Sequence, residues 1–110
     1  LAPLCLVFLA CGPRAVQLTG EGQHLKVVPL SAVANCDFLQ IVTSRIGMNA
    51  RQYQDNVTLA VNDNRNKAAA AGATHLVLGD PERDTGGAWT GSDKCENCVM
   101  INSKAYRCRK

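Results

Sequence analysis

Residues 50–79, ARQYQDNVTLAVNDNRNKAAAAGATHLVLG, contain a change of period around which the rest of the chain can be arranged. Tyr53, Val57, Ala60, Val61, Ala68 and Ala71 recur at the three- and four-residue spacing of one helix face, which predicts a helix over 50–71. Gly72 follows as a C-cap candidate. Asn64 falls on the same face, and the Asn-Asp-Asn-Arg-Asn run at 62–66 has weak helix propensity, so a break or kink is expected there. Residues 74–79, THLVLG, then form a short apolar run stopped by Asp80-Pro81, as a strand would be.

Strand signals flank this unit. Residues 36–44, CDFLQIVTS, are apolar on both faces through Phe38, Leu39, Ile41 and Val42, the pattern of a strand buried on both sides and central in its sheet. Residues 23–30, QHLKVVPL, alternate in part and are β-branched at Val27 and Val28, and Pro29 ends the ladder or places it at an edge. Residues 81–97 are polar and Gly-rich and read as a long loop. Residues 98–108, CVMINSKAYRC, return as a final strand with an expected interruption near Asn102-Ser103. The order is β-β-α-β-β, an α+β domain in which a small sheet of about four strands packs on one main helix.

A chain of 110 residues holds one domain. Its charge of +3 comes from scattered Lys and Arg, without the basic stripe of a nucleic-acid binder. The basic tail of Lys104, Arg107, Arg109 and Lys110 reads as a solvated end. Aromatic residues make up 5%, so the core must be built from Val, Leu, Ile and Ala; so thin a core calls for covalent support, and the domain is expected to be disulfide-stabilised.

The first residues, LAPLCLVFLAC, are apolar and uncharged, and composition changes abruptly at Gly12-Pro13-Arg14. The run is far short of the roughly 20 residues a membrane-spanning helix requires, and it has the character of a signal-peptide apolar region. It ends in Ala10-Cys11, which resembles the lipobox of bacterial lipoproteins, where a signal peptidase cuts before a Cys that receives diacylglyceryl and acyl (palmitate-type) chains. Phe8 departs from the usual Leu, and no Met or basic leader precedes Leu1, so a precursor beginning further upstream is expected. On this reading residues 1–10 are a signal remnant, 11–22 the lipidated Cys11 and its tether, and 23–110 a single domain. Cys36, Cys95, Cys98 and Cys108 then lie in an oxidising compartment, where thiols pair; four cysteines permit three connectivities.

Taken in order, VQLTGEGQHLKVV, CDFLQIVT, RNKAAAAGATHLVL and the closing AYRC resemble the DUF4156 family of small bacterial lipoproteins over nearly the whole mature chain. Gln40 stands where that family commonly has Gly, and Cys-Glu-Asn-Cys at 95–98 looks like an addition. A more distant similarity is to the stress-sensor lipoprotein of the enterobacterial Rcs pathway, an outer-membrane protein with a related α+β domain held by disulfides. The family's two recurring cysteines correspond to Cys36 and Cys108, so the resemblance implies that pair as a disulfide. Such a bridge would tie the last strand to the sheet and contribute about 4 kcal/mol on the chain-entropy argument. Cys95 and Cys98 would pair with each other.

Cys95-x-x-Cys98 also has the spacing of thiol–disulfide exchange sites. Redox catalysts set the first Cys at a helix N-terminus, whereas this motif lies between a Gly-rich loop and a strand, with acidic Glu96 between the sulfurs, which favours a structural clip. A metal site would need His24, His75 or Cys108 beside the pair; His75 reads instead as a strand residue with a satisfied hydrogen bond, and no metal or other cofactor is expected. Gly-x-Ser-x-Gly, phosphate-loop and His-Glu-x-x-His patterns are lacking, and no enzymatic activity is expected. Asn56-Val57-Thr58 spells a glycosylation sequon by chance on a helix. Trp89 is the candidate partner-contact residue, an aromatic anchor on a loop.

Two functions follow as expectations. The first is a non-enzymatic structural or sensing module of the envelope, anchored in the membrane through Cys11 and contacting envelope proteins or cell wall, with no nucleic-acid partner. Gly12 after Cys11 favours outer-membrane sorting, facing the periplasm. The second is a periplasmic thiol–disulfide redox factor using Cys95 and Cys98.

Overall fold

The computed structural model describes residues 17–47, 52–83 and 97–109. In chain order the elements are α1 (Gly20–His24), β1 (Lys26–Val27), a 3-10 turn (Leu30–Val33), β2 (Asp37–Ile46), α2 (Tyr53–Ala70), β3 (His75–Val77), β4 (Glu82–Arg83) and β5 (Val99–Arg107). The α+β class holds, with five strands on one main helix. The fifth is β4, a two-residue strand inside the stretch that reads as loop. The sheet runs β1-β3-β5-β2, with β4 also paired to β5. β1 and β3 are parallel, and every pairing with β5 is antiparallel.

Helix α2 is unbroken through the Asn-rich run, contrary to the kink its propensity predicts. Asn56, Ala60, Asn64 and Ala68, four residues apart, form a fully buried stripe whose small and polar side chains let the helix lie close against the sheet. Asn64 Nδ2 donates to Ser44 Oγ of β2 at 2.6 Å and to the Ile101 carbonyl of β5 at 3.4 Å, which ties the helix to both strands through the core. Apolar packing lies on either side of that contact. Leu25, Val42, Ala68, Leu76 and Ala105 form one cluster, and Ala60, Val99 and Ile101 the other. Asn64→Ala is expected to cost about 2 kcal/mol, because a buried hydroxyl loses its donor. A double-mutant cycle with Ser44→Ala, followed by urea denaturation, should return a coupling of about 1 kcal/mol; simple additivity would deny the hydrogen bond any role.

The helix ends as its sequence predicts. Gly72 has φ 92°, and the amides of Gly72 and Ala73 donate to the carbonyls of Ala69 and Ala68, a Schellman ending that turns the chain directly into β3.

Three strand expectations are corrected. β2 is an edge strand, not a central one: among the described residues it pairs with β5 alone, and α2 covers only the face of Val42, Ser44 and Ile46. Phe38 and Ile41 are 51% and 54% exposed, with Phe38 edge-to-face on Tyr106 at 5.5 Å. The centre is β5, which pairs continuously from Val99 to Arg107, through Asn102 and Ser103, without the expected interruption. The irregularity lies on β2, between Phe38 and Gln40. Residues 23–30 supply a strand only at Lys26–Val27, because α1 occupies the first part and Pro29 opens the 3-10 turn.

Helix α1 is too short to persist alone and is held from both ends. Thr19 Oγ1 caps it by accepting from the Gly22 amide at 2.9 Å. From α2, Asn66 Oδ1 accepts from the Thr19 amide at 2.9 Å, and Asn66 Nδ2 donates to the Gln17 carbonyl at 2.7 Å. Arg65 donates to the carbonyls of Gly22 and Leu25 at 3.1 and 3.3 Å.

Candidate functional site

Cys36 immediately precedes β2 and Cys108 immediately follows β5, so the Asp37–Arg107 rung brings the two together. They form a disulfide with Cα atoms 4.4 Å apart. Beside it the chain leaves an open cleft of about 660 Å³. α1 and the start of β1 form one wall, with Glu21, His24 and Lys26; the residues around the 3-10 turn, with Ser31 and Asn35, face them. Thr74 and His75, at the start of β3, and Arg109 complete the polar lining. The β1–β3 register sets Lys26 opposite His75.

Hydrogen bonds fix the β3 side of this cleft. Thr74 Oγ1 accepts from the Cys108 amide at 2.8 Å and lies 2.8 Å from His75 Nδ1. The other ring nitrogen, Nε2, is donor or acceptor according to the tautomer. At the rim, Arg109 reaches Asp37 at 3.7 Å, an exposed ion pair that limits where the guanidinium rests without neutralising it firmly.

Cys36 and Cys108 thus pair as the family resemblance implies. Cys98 is fully buried and disulfide-bonded. Cys95, Cys11, Gly12 and Trp89 lie outside the described residues. His24 and His75, weighed above as metal donors, meet in the cleft beside Cys108. Cys98 sits at the other end of the nine-residue β5, about 30 Å away by strand rise. Among the described residues no group of three or more His, Cys, Asp or Glu is placed to hold a metal ion. His75 has the local hydrogen bond expected of it. Asn56 of the sequon is fully buried on α2, its Nδ2 donating to the Asn97 carbonyl at 2.6 Å. No helix among the described residues is long and apolar enough to cross a membrane.

Sequence reasoning missed the roles of Glu21, Lys26, Ser31, Asn35 and Arg109. The signal that could have pointed to the cleft is that the only two histidines precede or open strands that pair in parallel. Arg65 and Asn66 were likewise read for helix propensity and for the family resemblance, and not for their hold on α1.

The chain matches no curated protein and no solved structure. The family described as Domain of unknown function (DUF4156) matches residues 16–108, which takes in α1, every strand and both cysteines of the disulfide. With most of its length covered by that match, the chain belongs to the DUF4156 family.

Proposed function

We propose that this protein is an envelope lipoprotein, held at the periplasmic side of the bacterial outer membrane by acyl chains on Cys11, and that it works there as a non-enzymatic structural or sensing module. The observation that carries this reading is the Cys36–Cys108 disulfide at the two ends of the main strand pair. Such cross-links persist in oxidising compartments and are rare where thiols are kept reduced. Ala10-Cys11, with its apolar leader, supplies the anchor.

Fractionation of cells expressing the full precursor tests the proposal. The wild-type protein is expected in the membrane fraction, acylated at its N-terminus by mass spectrometry. Cys11→Ala should move it to the soluble fraction with its disulfides unchanged. A wild-type protein that is soluble and unacylated, with residues 1–10 retained and its thiols free, would overturn the reading.

A further inference from the structure

We infer that the cleft beside the Cys36–Cys108 disulfide is a binding site for a free carboxylate carried on a small apolar body, of the kind presented by the C-terminus of a peptide. This goes beyond the proposed anchoring: it concerns the folded domain alone, so failure of the fractionation experiment would leave it standing.

The size is suitable, because a cleft of about 660 Å³ lies within the range of small-ligand sites. Its charge selects the ligand's sign. Lys26 and Arg109 are fixed cations, His24 and His75 contribute ring nitrogens, and Glu21 is the one carboxylate in the lining. Beyond the lining, Asp37 faces Arg109 from the start of β2, at 3.7 Å and largely exposed. A cationic ligand would therefore meet repulsion, whereas a carboxylate could accept from an ammonium and a guanidinium.

The remaining surface selects the ligand's body. Beside Ser31, Asn35 and Thr74, which are polar but uncharged, Leu25, Ala32, Ala34, Ala73 and the disulfide supply an apolar surface. An inorganic anion would leave that surface wet, while a carboxylate bearing a hydrocarbon side chain would cover it. Four separate segments build this lining, and the hydrogen bonds from Thr74 to Cys108 and His75 hold one side in place before any ligand arrives.

The test uses the full chain in detergent solution with N-acetyl-leucine as probe and N-acetyl-leucinamide as its uncharged counterpart, followed by amide NMR shifts and calorimetry. The acid is expected to bind about tenfold tighter than the amide, with shifts at His24, Lys26, Thr74 and His75. Lys26→Gln and Arg109→Gln, both at exposed sites, should each weaken the acid several-fold without altering the circular dichroism or the disulfide mass. Equal binding of acid and amide, or no shift at these residues with about 20 mM probe, would overturn the site. Inorganic phosphate binding as tightly as N-acetyl-leucine would overturn the assignment to a carboxylate on an apolar body.

Discussion

Replacing Cys36 and Cys108 together by serine is expected to lower the unfolding free energy by about 4 kcal/mol and the melting temperature by roughly 20 °C. The bond joins residues separated by 72 in sequence, so it encloses most of the folded chain and removes many conformations from the unfolded ensemble. Domains of this size are stable by only about 5–15 kcal/mol, so the loss is a large share of the whole. The hydrophobic core offers little in reserve: its fully buried side chains include four polar ones, Ser44, Asn56, Asn64 and Ser103. Both cysteines are half-buried, so serine hydroxyls can still be hydrated and the measured change should reflect the cross-link. Urea denaturation of wild type, the double variant and the wild type under reductant provides the check. Coincident midpoints for all three would mean that the loop-closure account fails.

The same polar core explains why the helix and the final strand were easier to place than the centre of the sheet. Helical spacing identified α2 because Tyr53, Val57 and Val61 flank its buried stripe, although the stripe itself is Asn56, Ala60, Asn64 and Ala68. Composition alone gives no reason to bury Asn64; that follows from Ser44 and the Ile101 carbonyl standing opposite, a contact between segments distant in sequence. The central strand was misidentified for a related reason. β2 has the more continuous apolar run, yet Phe38 and Ile41 face away from the helix. β5 alternates Val99, Ile101, Ser103 and Ala105 toward the helix with Met100, Asn102 and Lys104 away from it, and buried Ser103 conceals that pattern. α1 left only a short signal, Thr19 before Gly20-Glu21-Gly22, because its stability comes from Arg65 and Asn66, which are distant in sequence. The Cys36–Cys108 pair was legible through the family resemblance, since the spacing of four cysteines leaves three connectivities open. The cleft was not legible, because its lining comes together only when the β1–β3 register and the disulfide close the same end of the sheet.

Gly79→Ala is expected to destabilise the domain by about 3 kcal/mol or more, since it forces backbone apart where overpacking by a flexible side chain would cost less. Gly79 follows β3 and runs close beside β5, where its amide donates to Ser103 Oγ at 2.9 Å. A Cβ at this position would fall well inside the van der Waals shell of the Asn102 carbonyl oxygen, a backbone atom of the central strand. Neither neighbour can yield cheaply. Asn102 is paired with Thr43 of β2, and Ser103 lies fully in the core between the helix and the sheet. Relief would require Gly79 to lift off β5, which would surrender the bond to Ser103 and open the Leu76 end of the core, where Leu78 packs beside it. Gly20 provides the comparison, because a Cβ there meets nothing within 4 Å and the residue lies in the first turn of α1. Gly20→Ala should therefore be neutral or stabilising by up to about 1 kcal/mol, through the lower backbone entropy of the unfolded chain. Thermal melts of the two variants should diverge in opposite directions from wild type, and a Gly79→Ala protein that melts with Gly20→Ala would show that the chain after β3 does not make this close approach to β5.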